Sequence, residues 1–353
     1  MFGDYMKKVL IGLSGGVDSS VAAAVLKEQG YCVIGATLFL HKEDELARGR
    51  DISDAKSVCD KLGIEHHVFD FTELFASEVK DYFVNSYING ETPNPCIVCN
   101  KKVKFSALLK KADEMGIDYI ATGHYSKITQ DPVTKRMLLL RPSDTGKDQT
   151  YVLYCLSQEQ LARIKMPLAD YTKAEIREKA ESLGFDNANR PDSQDICFIP
   201  NGDYASFIKN NTALGFEKGD FVDINGNLLG KHQGIINYTV GQRKGLGIAL
   251  GKPQFVISKD AKTNQVVLGD EEYLFSKRVL VNNLNFIPFE KLNGEIKVTA
   301  KLRYRHKEET ATVRMIDENT AEVVFEKPQR AAAKGQSAVF YQDDIVIGGG
   351  III

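Results

Sequence analysis

The chain has 353 residues, of which 43% are hydrophobic and 26% charged, and its formal net charge at pH 7 is −2. This length predicts two or three domains, and the composition is that of an ordinary globular protein. The small net charge excludes a generally polycationic RNA-binding protein, so contacts with nucleic acid would have to come from local basic patches. Six cysteines are too few for a disulfide scaffold, and no segment approaches the roughly 18 apolar residues of a membrane span. We therefore expect a cytoplasmic protein with no signal peptide and no membrane contact.

The first half of the chain alternates apolar, β-branched runs with segments of helical spacing. The predicted strands are 7–13, 31–40, 66–71 and 118–125, and the predicted helices are 18–30, 54–64, 73–90, 103–117 and 170–185. The last helix begins with a capping box, in which Thr172 is the N-cap and Glu175 follows three residues later. Strands that alternate with helices of this length predict βαβ units and a parallel sheet covered on both faces. The fold class is therefore α/β in this half.

The second half has a different texture. After about residue 215, short β-rich runs are separated by turns such as INGN (224–227) and KTNQ (262–265). Strands at this spacing predict small β-domains, either sandwich or barrel. We place the domain boundaries near 205 and 275, which gives domains 1–205, 206–274 and 275–353.

The first strand-to-helix turn has the sequence LIGLSGGVDSSV (10–21). Two glycines allow the backbone to turn tightly, and the free N–H groups of the following helix form a site for an anion. The sequence has neither the lysine of the G-x-x-x-x-G-K-[ST] loop nor the spacing of G-x-G-x-x-G. A glycine pair after a strand is often only a turn, so the specificity lies in the whole string SGGVDSS.

SGGVDSS resembles the pyrophosphate loop of ATP pyrophosphatases, which split ATP into AMP and pyrophosphate to activate a carbonyl oxygen. The resemblance implies that ATP binds to the loop and that Asp18 helps to organise Mg²⁺. The implied nucleotide-binding residues are Gly12, Leu13, Ser14, Gly15, Gly16, Val17, Asp18 and Ser19. A later glycine-rich stretch, GLGIALG (245–251), lies among β-rich segments with no helix after it, and we interpret it as turns or a substrate contact.

Two cysteines stand in TPNPCIVCNKKVKF (92–105), and three explanations fit them: half a zinc site, a redox dithiol or a nucleophile. Cys99 precedes the predicted helix 103–117 and a lysine-rich segment, and both features would lower the pKa of its thiol. We therefore predict a reactive thiol at Cys99. By composition alone Cys197, like Cys32, Cys59 and Cys155, is more often a buried core cysteine.

Longer motifs resemble the family of tRNA 2-thiouridylases, which replace the C2 oxygen of the wobble uridine by sulfur. They occur in the order TPNPCIVCNKKVKF, ATGHY (121–125), GKDQTYVLY (146–154), DSQDICFIP, HQGIINYTVGQRKGLGI (232–248), RYR (303–305), GQSAVFY and GGGII. The resemblance runs from the first strand to the last residues. It implies an N-terminal domain of the adenine-nucleotide α-hydrolase type with the pyrophosphate loop, a small central β-domain and a C-terminal β-barrel.

The resemblance also implies roles for particular residues. Leu38 and Gly123 would line the nucleotide; Cys197 would accept sulfur as a persulfide, and Cys99 would assist its release through a transient disulfide or by freeing hydrosulfide. Asn94, Pro95 and Cys96 would face the flipped-out base. The tRNA contacts would be His124, Lys147, Asp148, Gln149, Arg303, Tyr304, Arg305 and Gln336. The implied partners are tRNA and a protein sulfur donor, either a cysteine desulfurase or a relay protein, and we expect a monomer.

Many members of the family have Asp where this chain has Cys96. Cys96, Cys99 and Cys197 could therefore hold a 4Fe–4S cluster with one open iron, in place of the persulfide route. A closed zinc site is disfavoured, because it would need a fourth ligand and would block the chemistry. Two other functions compete: an ATP-dependent amide-forming ligase, and a non-catalytic RNA-binding or sulfur-carrier protein. The thiols disfavour the first, and the intact SGGVDSS disfavours the second.

Overall fold

The structure is a computed structural model that describes residues 6–41, 45–191, 196–199 and 202–353. Part of the motif DSQDICFIP lies outside the described residues. In chain order the strands are β1 (Lys8–Gly12), β2 (Cys32–Phe39), β3 (Glu65–Asp70), β4 (Tyr119–Ala121), β5 (Lys127–Gln130), β6 (Met137–Leu140), β7 (Ile164–Lys165), β8 (Gly219–Val222), β9 (Leu228–His232), β10 (Phe255–Asp260), β11 (Gln265–Gly269), β12 (Phe275–Phe286), β13 (Glu295–Lys301), β14 (Glu309–Met315), β15 (Thr320–Arg330), β16 (Ser337–Gln342) and β17 (Ile345–Ile352).

The helices lie almost entirely in the N-terminal half. They are α1 (Val17–Glu28), α2 (Glu45–Leu62), α3 (Thr72–Phe75), α4 (Asp81–Ile88), α5 (Pro95–Val98), α6 (Leu108–Glu114), α7 (Gln158–Arg163), α8 (Lys173–Ser182) and α9 (Tyr204–Asn210). Two π-helical segments join neighbouring helices: Ala76–Lys80 connects α3 to α4, and Cys99–Ala107 connects α5 to α6. No described helix is both long and apolar enough to cross a membrane.

The N-terminal sheet is parallel, with the strand order β3-β2-β1-β4-β7. The order reverses at β1, because β2 lies on one side of it and β4 on the other. In open parallel sheets, ligands bind outside the carboxyl ends of the strands at such a reversal. The loops that follow β1 and β4 therefore flank the expected ligand crevice.

Both faces of this sheet are buried. On β1, Leu10 packs into one apolar cluster with Phe105 and Leu108, whereas Val9 and Ile11 pack into another with α1, α2 and α8. Successive side chains of a strand point to opposite faces, so the two clusters cover the two sides of the sheet. The prediction of a parallel sheet covered on both faces is confirmed.

The rest of the chain forms β-sheets. The central sheet has the order β10-β11-β8-β9, and the last six strands run β12-β15-β14-β13-β16-β17, with β12 also pairing with β17 to close a barrel. The fold class predicted from the sequence is thus confirmed. The hairpin β5–β6 of the N-terminal half extends the barrel sheet, because β6 pairs with β17.

Two predicted details have clear outcomes. The capping box is confirmed: the hydroxyl of Thr172 accepts the amide N–H of Glu175, and the Glu175 carboxylate accepts the N–H of Thr172. The predicted helix 103–117 is placed too late, because the helical segment begins at Pro95 and continues through the π-helical turns to Glu114.

Candidate active site

The loop between β1 and α1, residues 12–19, is called the phosphate loop here. Gly15 has φ +73°, a left-handed conformation that glycine adopts without strain. At the start of α1, the N-cap residue Gly16 provides no side-chain cap, so the first N–H groups of the helix have no side-chain acceptor from it. Together with the partial positive charge of the helix end, these donors suit a phosphate group.

Serine hydroxyls hold the phosphate loop from inside. The Ser14 amide donates to Ser19 Oγ at 3.2 Å, and the Ser19 hydroxyl donates to the Gly16 carbonyl at 3.0 Å. The Ser20 hydroxyl donates to the same carbonyl at 3.0 Å. Both hydroxyl bonds thus fix the Gly16 carbonyl, while the Ser14 N–H is bonded to Ser19 Oγ within the protein.

The carboxylate of Asp18 has two partners that the sequence did not reveal. The Tyr125 hydroxyl and the Lys173 ammonium both bind Asp18 Oδ1 at 2.7 Å. Mg²⁺ is commonly held by one or two carboxylates together with substrate phosphates, but Lys173 already pairs with Asp18 Oδ1, so the Mg²⁺ role of Asp18 stays a prediction. Lys173 lies 155 residues from Asp18, and no spacing in the sequence could connect them.

Gly123 and Leu38 lie against the phosphate loop, as expected of residues near the nucleotide. A Cβ added at Gly123 would lie 2.7 Å from the backbone nitrogen of Ser19, so the loop after β4 touches the first turn of α1. Leu38 Cδ1 would lie 3.7 Å from a Cβ at Gly12. Their contact with nucleotide stays a prediction.

The segment that carries the first two cysteines begins with a side-chain cap. Asn94 Oδ1 accepts the Cys96 amide at 3.1 Å, and Pro95 occupies the first turn, where its missing N–H costs nothing. Cys99 therefore lies one turn inside a helical segment. The prediction that Cys99 precedes a helix is wrong, because the helical segment starts before both cysteines.

The chain brings Cys99 and Cys197 into one environment. Cys99 is buried in the same apolar cluster as Phe198, whose ring packs at 5.4 Å from Phe75 and 5.7 Å from Phe83. Cys197, next to Phe198, is exposed, and the thiols of Cys99 and Cys197 interact electrostatically. We call Cys96, Cys99 and Cys197 the thiol cluster.

Burial raises the pKa of Cys99 to about 11, while the charge of Lys104 acts in the opposite direction. Surrounding protein atoms displace water from the thiols of Cys96 and Cys197 and so raise their pKa values too, again against Lys104, although both residues keep exposed surface. The predicted lowering of the Cys99 pKa is therefore wrong: loss of hydration outweighs the nearby positive charge.

Lys104 is a residue of the site that the sequence reasoning did not single out. It lies five residues after Cys99 in the π-helical segment, whose hydrogen bonds run from residue i to i+5, so the two side chains share a face. Among the described residues no carboxylate pairs with its ammonium. Burial lowers the pKa of Lys104, but Cys99, Cys96 and Cys197 raise it above its usual value. The i+5 spacing would have been the signal, but only for a π-helix.

His124 connects the phosphate loop to the thiol cluster. It follows Gly123, its Nδ1 lies 2.8 Å from the Thr122 hydroxyl, and its ring lies 5.7 Å from that of Phe105, next to Lys104. Burial and then the charge of Lys104 lower the pKa of His124 to about 3, so the imidazole is neutral at physiological pH.

The residues predicted to contact tRNA fall into two groups. Arg303, Tyr304 and Arg305 are exposed after β13, and Lys147 is half-buried. Asp148, Gln149 and Gln336 have protein partners instead: Asp148 accepts from the Thr150 amide at 2.8 Å, Gln149 from the Tyr125 amide at 2.8 Å, and Gln336 donates to the Thr92 carbonyl at 2.8 Å. Gln336 thereby connects the barrel to the loop segment at Thr92, which precedes Asn94. Direct contact of these residues with tRNA stays a prediction.

The thiol cluster does not fit an iron–sulfur cluster as it stands. Over residues 6–41, 45–191, 196–199 and 202–353, no three His, Cys, Asp or Glu side chains converge in a metal-ligating arrangement. All six cysteines are free, so the predicted Cys99–Cys197 disulfide is not formed in this state.

Comparisons with known proteins cover almost the whole chain. The matching domain families are the tRNA methyl transferase HUP domain (7–201), the tRNA methyl transferase PRC-barrel domain (205–270) and the Aminomethyltransferase beta-barrel domain (276–352). The names of these domain families mention methyl transfer, whereas the names of the full-length relatives mention thiolation of uridine.

The tRNA-specific 2-thiouridylase MnmA of Acetivibrio thermocellus is 53% identical over 98% of this chain and 99% of that protein. The proteins of the same name from Clostridioides difficile and Clostridium acetobutylicum are 49% and 50% identical, each over 98% of this chain, and over 98% and 99% of their own lengths. Among solved structures, the U34-tRNA thiolase NcsA of Methanococcus maripaludis with its 4Fe–4S cluster is 21% identical, with a TM-score of 0.37 over 58% of this chain and 63% of that one.

Proposed function

Because the chain belongs to the tRNA-specific 2-thiouridylase family, we propose that it is a tRNA-uridine 2-sulfurtransferase that replaces the C2 oxygen of the wobble uridine by sulfur at the expense of ATP. One structural observation supports this reaction above the others. Gly123 touches the phosphate loop, and the charge of Lys104 acts both on the adjacent His124 and on the thiol cluster. An anion site for ATP and two thiols are therefore neighbours.

The first chemical step activates the base. The phosphate loop holds the ATP phosphates through N–H groups, and Asp18 supplies a carboxylate for Mg²⁺, which would neutralise phosphate charge. The uridine O2 attacks the α-phosphorus, the bond to the β-phosphate breaks, and pyrophosphate leaves. The product is an O2-adenylated base, whose C2 now has AMP as a leaving group.

The second step transfers sulfur. A protein donor first leaves one sulfur on Cys197 as a persulfide, and the terminal sulfur attacks C2 while AMP departs. The Cys99 thiolate then attacks Sγ of Cys197, which breaks the S–S bond of the adduct and leaves sulfur on C2. The two electrons that reduce this sulfur come from the two cysteines, which form a disulfide that a cellular dithiol must reduce. In a variant of this scheme, Cys99 first frees hydrosulfide, which attacks C2.

Residues around the thiols support such anionic intermediates. Lys104 provides a positive charge that acts on all three thiols, and it has no carboxylate partner among the described residues that would neutralise it. His124 is neutral and half-buried, so it can donate or accept a hydrogen bond without adding charge near the phosphates. Asn94, Pro95 and Cys96 would face the flipped base, and the exposed Arg303, Tyr304 and Arg305 would contact the tRNA backbone.

The test separates activation from sulfur transfer. An unmodified tRNA transcript, ATP and a persulfide donor are mixed with wild type, Cys197→Ser or Cys99→Ser, and both pyrophosphate and 2-thiouridine are measured. We expect both variants to release pyrophosphate in a tRNA-dependent manner but to form no 2-thiouridine. Cys32→Ser is the matched control, because Cys32 lies on β2 outside the thiol cluster, and it should thiolate like wild type.

Each rival function has its own outcome. Thiolation by Cys197→Ser would rule out the persulfide route. Pyrophosphate release without tRNA would favour an amide-forming ligase, and no release under any condition would favour a carrier. Monomeric mass in solution and capture of persulfide sulfur from a desulfurase are the corresponding tests for the proposed partners.

A further inference from the structure

Asn187 contacts the phosphate loop through its side-chain amide. It lies in the turn after α8, it is 5% exposed, and its Nδ2 donates to the Gly15 carbonyl at 2.8 Å and to the Ser20 hydroxyl at 2.9 Å. The Oδ1 atom of Asn187 is buried and has no hydrogen-bond partner. The Asn187 amide nitrogen thus bonds to one acceptor of the phosphate loop, the Gly15 carbonyl, and to one of α1, the Ser20 hydroxyl.

The two contacts fix two successive peptide groups. Asn187 holds the Gly15 carbonyl directly, and the Ser20 hydroxyl, which accepts from Asn187, donates to the Gly16 carbonyl at 3.0 Å. In a trans peptide the C=O and the following N–H point in opposite directions. Holding the Gly15 carbonyl toward Asn187 therefore directs the Gly16 N–H away from the protein body, toward the open side of the loop.

The backbone here could turn the other way without this restraint. Gly15 and Gly16 have no side chains, so the peptide between them can flip at little steric cost. A flipped peptide would present the Gly15 carbonyl oxygen to a phosphate, where it would repel the anion and remove an N–H donor.

We infer that Asn187 is a positioning residue that holds the Gly15–Gly16 peptide in the orientation that binds phosphate. Arg190 supports the same carbonyl at 3.4 Å, but its guanidinium is engaged mainly with Asp51 at 2.6 Å and Asp54 at 3.1 Å. The geometry therefore assigns to Asn187 the orientation of the Gly15–Gly16 peptide, and to Arg190 the attachment of the phosphate loop to α2. This inference rests on the proposed function only in that the loop binds ATP.

The experiment is a calorimetric titration of the full-length protein with α,β-methylene-ATP and Mg²⁺, which needs neither tRNA nor sulfur. Asn187→Asp keeps the shape but removes both donors, and Asn187→Ala removes them without adding charge. The matched control is Asn189→Asp, which adds the same charge two residues away at an exposed position. We expect the Kd to rise on the order of tenfold or more in both Asn187 variants and to stay within about twofold in the control.

A second measurement distinguishes positioning from folding. At saturating ATP, the Asn187 variants should recover tRNA-dependent pyrophosphate release, so that KM for ATP changes more than kcat, and their affinity for tRNA should equal that of wild type. Equal Kd values for Asn187→Asp and Asn189→Asp would overturn the inference, and so would normal binding of the analogue by Asn187→Ala. Loss of both tRNA affinity and the melting transition in the two Asn187 variants would also overturn it, because Asn187 would then be needed for folding. Failure of wild type to bind the analogue would instead refute the proposed ATP site.

Discussion

Substitution of Gly123 by alanine tests whether the contact between the loop after β4 and the phosphate loop matters for nucleotide binding. A Cβ at this position would lie 2.7 Å from the Ser19 nitrogen, 2.9 Å from the Asp18 carbonyl carbon and 3.0 Å from the Ser19 Cα. All three are backbone atoms, so no flexible side chain can move aside. To lengthen the closest contact from 2.7 Å to 3.4 Å, the two segments must separate by about 0.7 Å.

Overpacking of this kind costs about 1–3 kcal/mol of folding free energy. The effect on activity should be of similar size in free energy, because a displacement of about 1 Å in a catalytic constellation can cost on the order of 100-fold, which is about 2.7 kcal/mol. We therefore expect Gly123→Ala to lower kcat/KM for ATP by about 10- to 100-fold and to lower the melting temperature by a few degrees.

The assay is tRNA-dependent pyrophosphate release over a range of ATP concentrations, with the melting temperature measured in parallel. Gly49→Ala is the control, because Gly49 lies in α2 with nothing within 4 Å of an added Cβ, and helix propensity favours alanine there. If Gly123→Ala had the same kcat/KM as Gly49→Ala, the contact would have no part in shaping the phosphate loop.

Three further substitutions test other parts of the site. Lys104→Met should raise the pKa values of the Cys99 and Cys197 thiols further, because the charge of Lys104 lowers them in the wild type. Alkylation of Cys197 by iodoacetamide at pH 8, measured by mass spectrometry, should therefore slow by about three- to tenfold in Lys104→Met but not in Lys104→Arg. An unchanged rate in Lys104→Met would contradict this role of Lys104. Anaerobically purified Cys96→Asp should form 2-thiouridine and contain no bound iron. If the wild type contained iron and Cys96→Asp lost both the iron and the activity, the iron–sulfur route would be favoured instead. Asp148→Ala should lower the free energy of unfolding by about 1–3 kcal/mol, because the Asp148 carboxylate accepts hydrogen bonds from the amide and the hydroxyl of Thr150 at 2.8 Å and 2.6 Å. The control Asp344→Ala, at an exposed position, should leave the free energy of unfolding unchanged.

The elements that could be predicted from the sequence are those whose signals are local. The order of strands and helices follows from apolar periodicity and glycine stops, and the capping box at Thr172 follows from two side chains three residues apart. SGGVDSS marks the phosphate loop because the turn, the hydroxyls and the helix start are contiguous in the chain.

What the sequence could not provide are contacts between distant segments. Leu140 in β6 pairs with Ile345 in β17, so a hairpin of the N-terminal half extends the barrel sheet, and no local pattern marks this pairing. Lys173 and Asn187 reach the phosphate loop across more than 150 residues. Lys104 lies on the same face as Cys99 only because the segment is π-helical, whereas the sequence of the segment suggests an ordinary α-helix or a charged surface.

The raised pKa of the Cys99 thiol has a mechanistic consequence. Burial raises the pKa of the Cys99 thiol to about 11, so the thiol is largely protonated at pH 7. Thiol–disulfide exchange depends on the thiolate, so Cys99 in this state attacks a persulfide on Cys197 slowly. A resolving cysteine that ionised readily would discharge the sulfur before an activated base was in place. Burial of Cys99 therefore favours the sequence in which Cys197 first transfers sulfur to C2 and Cys99 acts afterwards, once the adduct has changed the surroundings of its thiol. Persulfidated protein kept without ATP and tRNA should then release hydrosulfide much more slowly than protein supplied with both.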